Sequence, residues 1–192
     1  GLLSEVISTL ESGVVGGLGA GAQNFGVAYS PSSRISETRM FDLYHGGNLN
    51  GAIMGMAETD ASGNVNVSQF GGRSVGCGGF VDITQSAQRV TFCSGFNGKG
   101  FVGAFTDGRL EIRAEGQQQK FVEKVGQITF SAEQARIRGQ EVELVTERCV
   151  FRLGPTGWIL TEIAPGLDVE RDVVGRMAFL PEIAPNLRTM NA

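Results

Sequence analysis

Short runs of β-branched and aromatic residues, separated by glycines and polar turns, recur along the chain. Four of these runs lie at 89–93, 142–145, 149–153 and 158–163. Runs of this length and composition are typical of strands in a sheet with a buried face. The sequence therefore predicts a strand-rich fold.

Two further pairs of runs predict β-hairpins. An Asp-Gly dipeptide at 107–108 lies between the runs 101–105 and 110–114, and Asp-Gly is the strongest short hairpin signal available. A second tight turn, at 61–64, joins the apolar run 53–59 to a segment in which valine and polar residues alternate. Each pair predicts two antiparallel strands.

Helical periodicity is rarer than the strand pattern. Apolar residues recur on one helical face at 169–177, after an acidic start at Asp168 and Glu170, and this predicts a helix. A second helix could begin at 81–87. Residues 6–10 predict a short buried strand that enters a glycine-rich turn. The chain as a whole is predicted to be strand-rich with some helices.

Composition narrows the class of protein. The chain has 192 residues, 41% hydrophobic and 19% charged, as expected of one globular domain with an apolar core. Sixteen basic and twenty acidic residues give a formal charge of −4 without a strong basic cluster, so we expect no nucleic acid partner. The apolar runs are far shorter than the roughly 20 residues of a membrane helix. We therefore expect neither a membrane span nor secretion.

Cysteine and histidine usage argues against a zinc site. Cys77, Cys93 and Cys149 are far apart without a Cys-x-x-Cys pair, and His45 is the single histidine. We expect three reduced thiols, no metal and a cytoplasmic location. Because the chain begins at Gly1 rather than at a methionine, we also expect it to be a fragment of a longer protein.

The glycines at 17–21 suggest a dinucleotide site, because they follow a predicted strand and Glu37 has the spacing of a ribose-binding acid. The pattern is imperfect, since Glu37 follows a loop rich in proline and serine instead of a second strand. The carboxylate of Glu11 also has no role in such a site. We therefore favour another interpretation of this segment.

Two titratable residues are interpreted as structural. His45 lies beside two glycines and has no serine, cysteine or aspartate partner that the sequence marks as catalytic, so we interpret it as a turn or pocket-wall residue. Glu147 lies among strand residues, where an unpaired buried charge would be destabilising. We predict that Glu147 forms an ion pair.

Two segments of the sequence contain groups suited to catalysis or ligand binding. Glu11 is followed by small residues and glycines, which allow the backbone to turn sharply and to approach a ligand closely. The run 76–80 reads Gly-Cys-Gly-Gly-Phe, and its backbone N–H groups are little shielded by side chains. Turns of this kind bind developing negative charge, as in an oxyanion hole or a phosphate cradle.

These features resemble the family I coenzyme A transferases, and especially the single-chain bacterial acetate/propionate branch, in which two homologous halves are fused. Segment 10–17 resembles the Glu-Ser-Gly signature of that branch, and segment 76–80 resembles its Gly-x-Gly-Gly-(Ala/Phe) motif. Segments 41–44, 63–68 and 146–151 follow the family in order and context. The resemblance covers essentially the whole chain.

The resemblance implies an α/β fold of the CoA transferase type. We expect a mixed, largely parallel sheet flanked by helices, with a β-hairpin appendage around 98–119. Residues 1–192 would form the C-terminal, beta-type catalytic domain without its first strand and helix and without the preceding alpha-type half. The chain departs from the family at His45, where aspartate is usual, and at Gly19, where proline is common. These departures bear on acyl-group preference and loop rigidity.

The resemblance assigns Glu11 the role of covalent nucleophile. A carboxylate with an ordinary pKa of about 4.3 is ionised at neutral pH and needs no general base. The implied reaction transfers CoA from a short-chain acyl-CoA to a carboxylate such as acetate, through a glutamyl-CoA thioester. Gly76, Gly78 and Gly79 are the expected oxyanion-hole residues. The residues expected to contact the CoA co-substrate are Ser12, Gly13, Cys77 and Phe80.

No ATP, metal or permanently bound cofactor is expected, because one thioester replaces another. The implied partners are the acyl-CoA, a short-chain carboxylic acid, the alpha-type half of the same chain and further copies in a homo-oligomer. Two alternatives stay open: an acyl-CoA hydrolase on the same site, and a ligand-binding or sugar-phosphate isomerase relative with the same fold. A third, a non-catalytic structural half, is disfavoured by the intact glutamate at position 11.

Overall fold

A computed structural model describes residues 5–191 of the chain. The α-helices are α1 (Glu37–His45), α2 (Phe80–Ser86) and α3 (Ala132–Arg138), and shorter helical turns are formed by Ala22–Asn24, Val169–Val173 and Val174–Arg176. The strands are β1 (Thr9–Leu10), β2 (Val14–Val15), β3 (Leu18–Gly19), β4 (Ala28–Tyr29), β5 (Ser33–Arg34), β6 (Gly51–Met54), β7 (Glu58–Thr59), β8 (Val65–Asn66), β9 (Gln69–Phe70), β10 (Arg73–Ser74), β11 (Arg89–Cys93), β12 (Asn97–Gly98), β13 (Val102–Thr106), β14 (Arg109–Ala114), β15 (Gln118–Gln119), β16 (Glu141–Val145), β17 (Cys149–Leu153), β18 (Trp158–Ile163) and β19 (Glu182–Thr189).

Six strands form the main sheet, in the order β19-β18-β17-β16-β11-β6. Strand β11 pairs in parallel with β6 and β16, and β18 pairs in parallel with β19. The pairs β16-β17 and β17-β18 are antiparallel. The sheet is therefore mixed and mostly parallel, as the resemblance implied. Helices α1 and α2 each precede a parallel strand, so their amino ends lie near the edge where the parallel strands end.

The core lies against one face of this sheet. Phe92, Leu144 and Phe151 project from β11, β16 and β17 and are fully buried. The ring of Phe92 stacks on Phe80 of α2 at 5.9 Å and meets Phe130 edge-on at 5.2 Å. Burying a side chain of this size stabilises a fold by about 1.5–3 kcal/mol. These aromatic contacts attach α2 firmly to the sheet.

The predicted appendage is a hairpin of β13 and β14. Thr106 is opposite Arg109, which leaves Asp107 and Gly108 as a two-residue loop. Both loop residues have positive φ, 50° and 73°, as a type I′ turn requires. Strands β12 and β15 pair at the base of the hairpin. The appendage around 98–119 is confirmed.

Most of the predicted strands are present. The strands predicted at 89–93, 149–153 and 158–163 have the same bounds in the structure, and β16 begins one residue before the predicted run at 142–145. The turn at 61–64 joins β7 to β8 as an antiparallel hairpin. The apolar run before this turn is divided between β6 and β7.

Several predictions from local pattern differ from the structure. Val6 and Ile7 are 57% and 78% exposed, and only Thr9–Leu10 form a strand, in which both residues are half-buried. The buried strand predicted at 6–10 is therefore wrong. The helix predicted at 169–177 consists of a π-helical turn followed by a 3-10 turn. Helices α1 and α3 and strand β19 were not predicted. In residues 5–191 no helix has the length and apolar character needed to cross a membrane.

Candidate active site

Glu11 lies in a tight turn between β1 and β2, which pair antiparallel. The N–H of Gly13 closes this turn by donating to the carbonyl oxygen of Leu10 at 2.9 Å. Gly13 has a φ of +93°, and a Cβ at this position would overlap the carbonyl oxygen of Ile35. Only glycine fits both the left-handed backbone and the close approach. The sequence Glu-Ser-Gly therefore determines how the carboxylate is presented.

Two contacts hold this turn on the segment that leads into α1. The N–H of Ile35 donates to the carbonyl oxygen of Gly13 at 2.9 Å. The hydroxyl of Ser12 donates to the carbonyl oxygen of Gly26 at 2.8 Å. Ser12 and Gly13, expected to contact CoA, therefore have backbone partners within the domain.

The glycine run Gly76–Gly79 forms the loop that leads into α2. The φ angles of Gly76 and Gly78 are +83° and +52°, and Gly79 is the N-cap residue of α2. Within residues 5–191, the backbone N–H groups of 76–79 donate to no backbone or side-chain acceptor. Four consecutive N–H groups are thus available to a negatively charged ligand, as an oxyanion hole or a phosphate cradle requires.

The structure brings Glu11 and Gly79 into direct proximity. A Cβ built on Gly79 would lie 2.5 Å from Oε2 of Glu11 and 2.6 Å from the ring of Phe41. Real Cβ atoms do not approach other atoms so closely, so the carboxylate and the aromatic ring occupy space that only glycine leaves free at position 79. The two sequence motifs therefore form one site at the amino end of α2.

The other predicted site residues lie around this contact in different ways. A Cβ on Gly76 or Gly78 would have no atom within 4 Å, so this part of the loop is open. Cys77 is exposed. The ring of Phe80 is buried and stacks on Phe92 in the core, so its side chain supports α2 and does not line the open loop.

The Glu11 carboxylate is half-buried and lacks a hydrogen-bond donor among the residues described. Burial raises its pKa above the usual range, and the negative charge of Glu37 raises it further. The ordinary pKa expected from the sequence is therefore corrected upwards. The reason is that desolvation and a neighbouring like charge both disfavour the ionised form.

Sequence reasoning missed the contribution of α1 to this site. Phe41 lies against the position of Gly79, and Glu37 is the first residue of the helix. A signal was present, because Ser36 caps α1 by accepting a hydrogen bond from the N–H of Arg39, and serine is a preferred N-cap. Met40 and Tyr44 then give the buried helical spacing.

His45 is the last residue of α1 and does not lie in a turn, whereas Glu147 forms an ion pair. Nε2 of His45 lies 2.9 Å from Oδ1 of Asp82, and both side chains are exposed. Oε1 of Glu147 accepts from Nε of Arg148 at 3.0 Å, and Oε2 accepts from the N–H of Phe96 at 2.7 Å. The ion pair predicted for Glu147 is confirmed.

The dinucleotide interpretation does not fit the structure. The glycines at 17–21 do not open an α-helix; they include β3, which pairs antiparallel with β4. Glu37 begins α1 and does not follow a second parallel strand. The strand-turn-helix that a pyrophosphate needs is therefore missing from this segment. Residues 5–191 contain no cluster of three or more His, Cys, Asp or Glu side chains that could hold a metal, and Cys77, Cys93 and Cys149 are free thiols.

A mixed sheet carries the glutamate and the glycine loop at one edge, which is the arrangement that the resemblance to CoA transferases implied. No family model matches the chain. The chain is 43% identical over 197 residues to the caffeate CoA-transferase of Acetobacterium woodii, covering 100% of this chain and 37% of that protein. It is 38% identical over 191 residues to the acetate CoA-transferase YdiF of Escherichia coli K12, covering 100% of this chain and 36% of that protein.

Solved structures give the same result. The fold matches the crystal structure of the acyl-CoA transferase YdiF apoenzyme from Escherichia coli O157:H7 with a TM-score of 0.93 and 37% identity, over 100% of this chain and 36% of that one. A thioester complex of that transferase with CoA matches with a TM-score of 0.91, over 99% of this chain and 36% of that one. The chain belongs to the family I coenzyme A transferases. It spans a little over a third of the length of the curated relatives it matches.

Proposed function

We propose that this chain carries the nucleophilic glutamate of an enzyme that moves CoA from a short-chain acyl-CoA to a carboxylate acceptor such as acetate. The observation that supports the proposal is that the Glu11 carboxylate lies against Gly79, beside the open N–H groups of 76–79. The names of the relatives, caffeate and acetate CoA-transferase, support the same reaction class.

The first half of the reaction transfers CoA to the enzyme. An oxygen of Glu11 attacks the thioester carbonyl carbon, the carbon–sulfur bond breaks, and CoA leaves as the thiolate with an acyl-glutamyl anhydride behind it. The thiolate then attacks the Glu11 carbonyl carbon and releases the original acid as its carboxylate. The product is a glutamyl-CoA thioester on Glu11.

The second half reverses these steps with the acceptor. The acceptor carboxylate attacks the glutamyl thioester and expels CoA thiolate, which then attacks the acceptor acyl carbon of the new anhydride. Glu11 leaves as a free carboxylate, so no proton or electron is gained or lost over the cycle. Each attack generates an oxyanion, and one well-placed donor contributes about 10²–10³ in rate. Backbone N–H groups of Gly76, Gly78 and Gly79 are the proposed donors.

The domain is proposed to act as the C-terminal, beta-type half of a longer cytoplasmic enzyme. An alpha-type half of the same polypeptide would supply the facing wall of the site, and Ser12, Gly13, Cys77 and Phe80 would lie along the CoA path, with Phe80 acting through its backbone. The length of the relatives supports this arrangement, since the chain matches 36–37% of each. Assembly of that enzyme into a homo-oligomer is part of the same proposal.

The test is the intact mass of the full-length polypeptide after incubation with propionyl-CoA. We expect an adduct of one CoA with loss of one water, which borohydride removes because it reduces thioesters. Glu11→Ala should never form the adduct. Glu5→Gln, which changes an exposed carboxylate six residues upstream, is the matched control and should form it at the wild-type rate.

Product analysis separates the transferase from a hydrolase on the same site. With acetate present, the transferase yields acetyl-CoA in step with propionyl-CoA consumption, whereas a hydrolase yields free CoA whether or not acetate is added. Wild-type protein that consumes propionyl-CoA without any adduct on Glu11 would exclude the covalent route proposed here.

A further inference from the structure

Tyr44 and Thr9 form a hydrogen bond directly behind the proposed nucleophile. The ring of Tyr44 lies on α1 and is buried, with 3% of the residue exposed. Its hydroxyl donates to Oγ1 of Thr9 at 2.9 Å. Phe41, one helical turn earlier, meets the Tyr44 ring edge-on at 6.0 Å, so the two aromatic residues form one wall.

Thr9 lies on β1, the strand that leads into the turn at Glu11. It is opposite Val15 in the β1-β2 pair, so Thr9 and Val15 are the outer pair of the short ladder that closes the turn at Glu11. The other side of the same turn is held by the N–H of Ile35, which donates to the carbonyl oxygen of Gly13. Tyr44 on α1 and Ile35, just before the N-cap of α1, therefore hold the two ends of the turn by hydrogen bonds.

These two hydrogen bonds matter because the Glu11 carboxylate has no hydrogen-bonding partner of its own in the described part of the chain. The position of its carboxylate depends on the backbone turn and on packing against Gly79 and Phe41. A misplacement of about 1 Å in a reacting group can lower a rate by about 10²-fold. Burial raises the pKa of Tyr44, the hydrogen bond with Thr9 acts against this shift, and the charge of Glu11 adds to it.

We propose that Tyr44 is a positioning residue, which acts through Thr9 to hold the Glu11 turn in the geometry needed for attack on the thioester. The proposal rests on the proposed function, in which Glu11 is the nucleophile. Tyr44 does not touch the substrate in this proposal; its hydroxyl fixes β1, and β1 fixes Glu11. A purely structural tyrosine would contribute to stability only.

The test uses the full-length enzyme and the rate of glutamyl-CoA formation in a single turnover at saturating propionyl-CoA. Tyr44→Phe keeps the ring and removes the hydroxyl, and Thr9→Val removes the acceptor with little change in shape. Each should lower the rate by about 3- to 10-fold, the range expected for one neutral hydrogen bond. The KM for propionyl-CoA should stay within about 2-fold, because the contact holds the nucleophile and not the substrate.

Three further variants separate positioning from stability. The double variant should be no slower than the slower single variant, since both changes remove the same bond. Thr9→Ser retains a hydroxyl acceptor and should recover most of the rate. Tyr29→Phe changes a tyrosine that is 66% exposed and should behave as wild type. Rates are compared well below the melting temperature of each variant.

The outcomes distinguish this inference from the function on which it depends. If wild-type enzyme forms no adduct, the proposed function fails. If wild type forms the adduct but Tyr44→Phe forms it as fast as Tyr29→Phe, the positioning role is wrong and the function stands. Multiplied effects in the double variant would also overturn the inference, because independent sites do not share one bond.

Discussion

Two regions of this domain differ in how their charged side chains are hydrogen-bonded. Arg148 is fully buried, and its guanidinium makes paired hydrogen bonds of 2.9 and 3.2 Å with Glu115 and one of 3.0 Å with Glu147. It also lies 4.5 Å from the ring centroid of Phe96. The Glu11 carboxylate is half-buried, like that of Glu115, yet residues 5–191 supply Glu11 with no hydrogen bond. One region neutralises its charges and the other leaves a charge unpartnered.

The difference appears in the protonation of the two carboxylates. The hydrogen bond from Arg148 holds the pKa of Glu115 below its usual range, whereas burial and Glu37 raise the pKa of Glu11. An ion-paired carboxylate has its lone pairs engaged and stabilises the fold. A carboxylate without a donor destabilises the fold slightly but keeps its oxygens free to attack. Functional groups are commonly placed in such unfavourable surroundings.

The largest expected effect is loss of transfer in Glu11→Gln. Removal of the proposed nucleophile should lower the rate of CoA transfer by at least about 10⁴-fold. The variant should fold at least as stably as wild type. When the pKa of a carboxyl group is raised in the folded state, the stability of the protein falls as pH rises through that pKa, and a neutral amide avoids this loss. The neutral amide should therefore raise the melting temperature at pH 7 slightly above that of wild type. Calorimetry between pH 4 and 7 measures this gain.

The gain should shrink towards the acidic end of the range, where the wild-type carboxyl group is protonated as well. A variant that melts several degrees lower than wild type at pH 7 would mean that Glu11 is part of the structural framework. The contrast with the Arg148 region would then disappear.

Arg148→Met should produce the opposite result. Methionine fills much of the space but removes the buried cation that pairs with both Glu115 and Glu147. Breaking a buried pair typically costs about 3–5 kcal/mol of unfolding free energy. Chemical denaturation of the full-length protein measures the loss. Arg89→Met is the matched control, because Arg89 pairs with Glu141 on the surface with side chains 70% and 68% exposed. It should cost at most about 1 kcal/mol.

Adding Glu115→Gln and Glu147→Gln to Arg148→Met should recover part of the stability. The two substitutions remove the negative charges that Arg148 no longer neutralises. If the triple variant is as unstable as Arg148→Met alone, the loss comes from packing against Phe96 and not from unpaired carboxylates.

Gly79→Ala tests the steric side of the Glu11 region. The new methyl group would lie 2.5 Å from Oε2 of Glu11 and 2.6 Å from Phe41, so one of them must move. Gly79 has a φ of −79°, which alanine adopts freely, and its N–H is retained. Displacement of the carboxylate should slow adduct formation by about 10²-fold. Gly21→Ala, where a Cβ meets nothing within 4 Å, is the control, and equal rates for the two variants would contradict the contact.

The sheet could be predicted from sequence better than the helices. Strand β11 has the predicted bounds because β-branched and aromatic residues mark it locally. Helix α3 has local signals as well, with Ser131 as N-cap and Gly139 in the left-handed region at its end. Its buried residues are only alanines, so no apolar stripe reveals it. Strand β19 contains Pro185 and polar residues, and its pairing with β18 defines it.

The site was predicted in its parts but not in its assembly. Glu11 and the glycine run could be found as motifs, because a carboxylate followed by small residues is visible in one dimension. Their contact through Gly79 depends on how α1 and α2 pack, and local pattern carries no information on that packing. For the same reason Phe41 and Tyr44 could not be assigned to the wall behind Glu11 before the fold was known.

The smallest expected effect is on the pH at which the Glu11 carboxyl group ionises. Glu37 is exposed at the start of α1, and its charge raises the pKa of Glu11. Glu37→Gln should therefore lower the pKa of Glu11. Because the ionised carboxylate is the proposed nucleophile, the acidic limb of the kcat/KM profile should move to lower pH, with the plateau unchanged. Initial rates of acetyl-CoA formation between pH 4 and 7 measure the shift.

Salt and a second variant show whether this shift is electrostatic. The Debye length falls from about 10 Å at 0.1 M to about 3 Å at 1 M salt, so the profiles of wild type and Glu37→Gln should converge at high salt. Asp42→Asn removes an exposed charge from the same helix, and Asp42 is not among the groups that raise the pKa of Glu11. It should leave the acidic limb in place. If the acidic limb moves equally in both variants, net charge and not the proximity of Glu37 raises the pKa of Glu11. If it moves only in Glu37→Gln, a specific neighbour disfavours the ionised form of Glu11.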